Sequence, residues 1–201
     1  MVEGFPFSEE YSFLSLFCNK LEDTLRLKID KKIVSLGCFP ASRSVNFLES
    51  RVFSLNPDMI IIQFGSFDST VSLRKRLKNR YNSVCTDPFR FRLFTQLKIY
   101  LKFCICMIIK MKPDNPPDNF YAAMKRFFKE VSNRKIKLVV LSPFIHNDPY
   151  QNYWIRKYRK FVSKLCAEYD CSFIDCYSRL EKEKYSSIPV ADGYHLSKTS
   201  H

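Results

Sequence analysis

Pro57-Asp58-Met59-Ile60-Ile61-Ile62-Gln63-Phe64-Gly65-Ser66-Phe67-Asp68 opens on a turn signal, runs through four consecutive bulky apolar residues and closes on a glycine turn. So short a run, rich in β-branched residues, predicts a strand over Asp58–Phe64. Its lack of polar alternation predicts cover on both faces, as in a parallel sheet. Lys32–Cys38, Ile136–Ser142 and Cys171–Cys176 repeat the pattern. Between these runs lie helical patterns: Ser8–Leu25 behind a serine cap, Ser42–Leu55 with Val45, Leu48, Val52 and Leu55 on one stripe, Asp118–Asn133, and Gln151–Tyr169. Helix alternating with strand predicts a three-layer α/β fold, a parallel sheet flanked by helices, in a single domain. The chain starts with a loop and helix where such folds begin with a central strand, and it stops without a closing helix. The pattern therefore predicts a domain that is incomplete at both ends.

Composition narrows the function classes. The 201 residues are 46% hydrophobic and 26% charged, which argues against wholesale disorder. No charge-free apolar run is long enough to cross a bilayer. Met1–Glu10 shows no basic flank followed by an apolar run, so no secretory signal is visible and a cytoplasmic location is the expectation. The eight cysteines fall mostly in apolar runs, where reduced, buried thiols are expected rather than disulfides. Cys104-x-Cys106 and Cys171…Cys176 lack zinc spacing, and no metal or cofactor is expected.

The net charge of +13 is unevenly spread. Val71–Lys112 carries eleven Lys or Arg against the single acid Asp87, so the rest of the chain is near neutral. Arg74, Lys75, Arg76, Lys78, Lys98 and Lys102 are candidate contacts for an anionic membrane surface, or simply a solvated face. No nucleic-acid fold or motif is present, and nucleic acid is the less expected partner. Within the basic stretch, Leu93–Met111 is helical in pattern. It reads either as a core helix with lysines snorkelling outward or as an interfacial helix or lid. The region around residues 71–117 is expected to be a basic, apolar helical insertion.

In an open parallel sheet, ligands sit beyond the carboxyl ends of the strands. The glycines gather in such loops: Gly37 in Gly37-Cys38-Phe39-Pro40-Ala41-Ser42, Gly65 in Gly65-Ser66-Phe67-Asp68, and Gly193 in Asp192-Gly193-Tyr194-His195. Asp192 and His195 have a spacing that lets a carboxylate orient an imidazole, the base half of a nucleophilic triad. Taken alone, the same pair is also what an incidental surface turn contains. His146, after the third predicted strand, reads as a site-rim residue or as a loop histidine without a partner.

In combination these loops resemble the SGNH (GDSL-type) hydrolase family. The resemblance spans nearly the whole chain and is most specific at Pro57–Asp68 and at Asp192-Gly193-Tyr194-His195-Leu196-Ser197. It implies a flavodoxin-like α/β fold and metal-free deacylation of a small-molecule or lipid ester by a Ser-His-Asp triad. Asp192 would orient His195, His195 would be the general base, and Gly37, Pro40, Ala41, Gly65, Ser66, Phe67 and Asp68 would line the oxyanion and substrate loops.

Two departures concern the oxyanion donors. Where the family has an asparagine donor, this chain has Phe67; where it has a glycine N–H, this chain has Pro40 or Ala41. Losing one such donor typically costs about 10²–10³ in rate. A third departure concerns the nucleophile. The family's serine ends a first strand, and aligning Gly4 with the glycine that often follows it places that serine just before Met1. Cys38 or Ser42 as a displaced nucleophile fits poorly, since too little chain then separates it from Asp58 to hold the family's second block.

The expectations are thus an ester hydrolase whose serine lies outside this sequence, or a non-catalytic relative binding an anionic partner. Acyl transfer would use the same triad, and nothing in the sequence separates water from alcohol as acceptor.

Overall fold

The structure is a computed structural model that describes residues 13–34, 39–71, 88–146 and 148–181. Its centre is a parallel sheet of three strands among the described residues: β1 (Met59–Gln63), β2 (Lys137–Leu141) and β3 (Ser172–Ile174), in that order across the sheet. Met59 pairs with Lys137 and Gln63 with Leu141, while Val139 pairs with Ser172 and Leu141 with Ile174. Three of the four predicted strands are therefore present, each slightly shorter than its apolar run.

The fourth, Lys32–Cys38, is not seen as a strand in its described part. Lys32–Val34 lie in no ladder, and residues 35–38 fall outside the described residues. Cover on both faces is approached in β2, where Leu138, Val140 and Leu141 are buried, but fails for β1, where only Ile60 is, and for β3, where Ser172 and Ile174 are exposed. Among the described residues β1 pairs along one edge only, which leaves the flank of Ile61 and Ile62 half open.

Helices surround the sheet. They are α1 (Phe13–Leu25), α2 (Ala41–Ser44), α3 (Leu48–Arg51), α4 (Pro88–Ile108), α5 (Pro117–Asn133), α6 (Pro149–Glu168) and α7 (Cys176–Glu181). The serine cap expected for α1, Ser8, lies outside the described residues. Both α5 and α6 begin on a proline, whose fixed φ and missing N–H suit a first helical turn.

The helix expected over Ser42–Leu55 is broken into α2, α3 and two 3-10 turns, Val45–Phe47 and Phe53–Leu55. Val45 and Leu48 are buried as the stripe requires. Beyond Val52 the chain tightens to bury Phe53 beneath the Arg134 guanidinium, 4.3 Å from its ring centre, and Leu55 turns out to solvent.

The core is aromatic. From α5, Phe120, Met124, Phe127, Phe128 and Val131 recur at helical spacing and are fully buried. From α6, Tyr150, Tyr158, Val162 and Leu165 join the same cluster, with Phe120 and Tyr158 rings 4.3 Å apart and Tyr121 and Phe161 rings 4.4 Å apart. The described cysteines carry free thiols; Cys18, Cys106 and Cys166 are buried, and burial pushes the Cys166 thiol up to about 12. Such thiols pack as small hydrophobes and are poor nucleophiles.

Candidate functional site

At the carboxyl end of β1 the chain turns through Gly65-Ser66-Phe67-Asp68-Ser69. Gly65 has φ +107°, a conformation open to glycine and strained for other residues. A Cβ there would sit 3.0 Å from Pro143 Cγ and 3.6 Å from Tyr158 Cβ, so the turn presses against the loop after β2 and against α6. Local bonds hold it: Ser69 N–H donates to Gly65 O (3.1 Å) and Ser69 Oγ to Ser66 O (2.7 Å). From α6, Gln151 Nε2 donates to Ser66 O (2.8 Å). Ser66 is half-buried and Phe67 is exposed.

Asp68 is almost wholly buried at 1% exposure. Its Oδ1 accepts from Ala41 N–H (2.9 Å) and from Asn115 Nδ2 (2.8 Å), while Tyr158 Oη reaches its carbonyl at 3.5 Å. Burial pushes its carboxyl above the ordinary range, against the pull of the Ala41 amide and the Asn115 side chain. The N–H of Ala41, a residue that the resemblance sets in the oxyanion and substrate loops, is thus engaged by a carboxylate of the chain itself. Pro40, just before it, precedes the first turn of α2 and has no N–H to offer. Asp68 works as a latch between the β1 turn, α2 and the segment leading into α5, and Ser42 Oγ approaches Asn115 Oδ1 at 3.5 Å in the same cluster.

The loop after β2 forms the neighbouring wall. Gln63 Nε2 donates to Ser142 O (3.0 Å), and Ser142 Oγ accepts from Tyr177 N–H (2.8 Å). His146 is no partnerless loop histidine. Its Nδ1 accepts from Asp148 N–H (3.3 Å), its own N–H donates to Asn152 Oδ1 (2.8 Å), and Asn152 Nδ2 donates to its carbonyl (2.6 Å). The hydrogen bond at Nδ1 fixes the neutral tautomer with its proton on Nε2. Burial lowers its pKa to about 4, Asp148 opposing and Lys102 assisting. Asp148 caps α6, accepting from Tyr150 N–H (2.9 Å) and Gln151 N–H (3.2 Å), and its second oxygen pairs with Lys102.

The structure therefore brings together Pro40, Ala41, Gly65, Ser66, Phe67 and Asp68 at the carboxyl end of β1. Asp192, His195 and Gly37 lie outside the described residues, as do Arg74, Lys75, Arg76 and Lys78. Of the basic residues singled out, Lys98 is exposed, whereas Lys102 is turned inward and neutralised by Asp148. Asn115, Gln151 and Asn152 were missed by sequence reasoning. Their signal was faint: Asn115 precedes Pro116-Pro117 at the start of α5, and Gln151 and Asn152 follow the Asp148-Pro149 start of α6.

No protein-family model and no curated protein matches the chain. Solved structures do. An acetylxylan esterase from Geobacillus stearothermophilus superposes with a TM-score of 0.62 at 14% identity, over 94% of this chain and 74% of that one. A lipolytic protein of the G-D-S-L family from Desulfitobacterium hafniense superposes with a TM-score of 0.59 at 15% identity, over 98% of this chain and 86% of that one. At such identities the likeness establishes the fold: an SGNH-hydrolase-like α/β architecture.

Proposed function

We propose that the chain carries the base and substrate loops of an SGNH-type ester hydrolase acting on a small-molecule or lipid ester. The observation that carries this reading is the Gly65–Asp68 turn at the carboxyl end of β1, latched to Ala41 and Asn115, on a fold shared with esterases. In the proposed mechanism Asp192 holds the His195 ring in one tautomer. His195 takes the proton of a serine hydroxyl, the serine oxygen bonds to the ester carbonyl, and the tetrahedral intermediate collapses with His195 returning the proton to the leaving alcohol. Water, deprotonated by the same ring, then releases the acid; an alcohol in its place would give acyl transfer.

In this reading the serine would end the family's first strand, to the amino-terminal side of Gly4. In flavodoxin-like order the first strand lies between the second and the third. Lys32–Cys38 and β1 would be its two neighbours, and the edge of β1 turned away from β2 has no partner among the described residues. The test is hydrolysis of p-nitrophenyl acetate by the polypeptide extended through the in-frame codons upstream of Met1. His195→Ala and Asp192→Asn should each lower kcat by about 10⁴. Unchanged turnover in both variants contradicts the roles assigned.

A second reading, a non-catalytic module binding an anionic partner, is favoured by two observations. Phe67 offers no donor, and the Ala41 N–H is already engaged by Asp68. Failure of the extended polypeptide to turn over any ester, with Asp192 and His195 intact, would select it.

A further inference from the structure

We propose that α4 docks the protein on an anionic lipid surface, its outer face entering the acyl boundary and its lysines meeting the headgroups. The stripe and the lysines it relies on lie outside the site, and the proposal holds with either reading of the site.

Helix α4 is apolar on both sides, but only one side is packed. Its inner face lies on α6: Phe103 meets the Tyr150 ring edge-on at 6.3 Å, Cys106 is fully buried, and Lys102 pairs with Asp148. Just past the helix, Tyr150 Oη donates to Met111 O (2.6 Å). The opposite face carries Leu97, Tyr100, Leu101, Ile105 and Ile108, spaced at three and four residues so that they form one stripe. Leu97, Leu101 and Ile108 are 61%, 58% and 79% exposed. Isolated exposed leucines need no explanation, but a contiguous helical stripe does.

Charge identifies the occupant. From Pro88 to Lys112 there are six Lys or Arg and no acid. Lys98 borders the stripe, while Lys110 and Lys112 follow its end, all three exposed. A second copy of the chain would set these cations against their own kind across a two-fold axis, which is unfavourable. An anionic bilayer accepts both parts at once, apolar side chains below and lysines extended to the headgroups. No helix among the described residues is long and apolar enough to cross a membrane, so α4 lies in the interface plane.

The test is co-sedimentation of the full 201-residue chain with vesicles of phosphatidylcholine alone and of phosphatidylcholine with phosphatidylserine. Binding should require phosphatidylserine and weaken with salt. Leu101→Asp with Ile108→Asp should weaken it at least about tenfold, as should Lys98→Glu with Lys110→Glu, with far-UV circular dichroism and urea midpoints unchanged. In Ile108→Trp, fluorescence should shift to the blue on adding the anionic vesicles. Four results would each overturn the proposal. They are no binding to anionic vesicles, binding indifferent to the apolar pair, a dimer that this pair dissociates without any vesicle binding, and a fall in urea stability showing that the stripe is covered by the chain itself.

Discussion

At Gly65 a single φ angle sets the geometry of the site. The turn after β1 needs φ +107°, and the space where a Cβ would go is already bounded by Pro143 and Tyr158. Gly65→Ala should therefore combine backbone strain with a clash and cost about 2 kcal/mol or more, read as a lower urea midpoint. A midpoint unchanged from the parent would show that the turn is free to relax. His146 makes a second residue-scale prediction. Its ring stays neutral in the fold down to about pH 4, whereas in the unfolded chain it takes up a proton near 6.5. Between those values the unfolded state binds more protons, so stability falls as pH is lowered through that window, by of order 3 kcal/mol in full. Unfolding midpoints between pH 6.5 and 5, above the ordinary carboxylate range, should slope downward with acid, and His146→Asn should flatten the slope. Both residues were visible in the sequence, but only Gly65 could be read for its role. The burial and hydrogen bonds of His146 come from Asp148 and Asn152, which no local pattern assigns to it.

Helices and strands were legible where one face of the chain is strongly apolar. The stripes of α5 and α6 and the runs of β1, β2 and β3 were all placed close to their observed positions. The Ser42–Leu55 segment was not read correctly, because the tertiary demand to bury Phe53 against Arg134 overrides a stripe that would have continued to Leu55. Helix ends show a related economy. With only four glycines in the chain, the left-handed residues that follow α1, α4, α5 and α6 are Arg26, Lys110, Lys135 and Asp170. Each closes a helix where glycine is the usual choice. After α5, Ile136 N–H donates back to Val131 O (3.3 Å), so the capping geometry is kept while a side chain bears the strain. Lys135→Gly should raise stability by about 0.5–1 kcal/mol, measured by urea or thermal unfolding. A loss of stability would mean that the Lys135 side chain contributes more than the strain it imposes.

Across the molecule, the parallel order β1-β2-β3 among the described residues places the carboxyl ends of these three strands on one side, where the Gly65 turn and the His146 loop lie. That much followed from the alternation of helices and apolar runs. What sequence alone could not supply was the latch of Asp68 with Ala41 and Asn115, since it joins residues far apart in the chain through one buried carboxylate. The edge of β1 that has no partner among the described residues, seen against the position predicted for Lys32–Cys38, is where the proposed serine-bearing strand would sit. Labelling with a fluorophosphonate probe, mapped by mass spectrometry, addresses that proposal directly. The extended polypeptide should take up the probe on a serine upstream of Met1, His195→Ala should abolish the adduct, and the 201-residue chain should stay unlabelled. An adduct on Ser42 or any other residue of this chain, or labelling of the extended form that persists in His195→Ala, would contradict it.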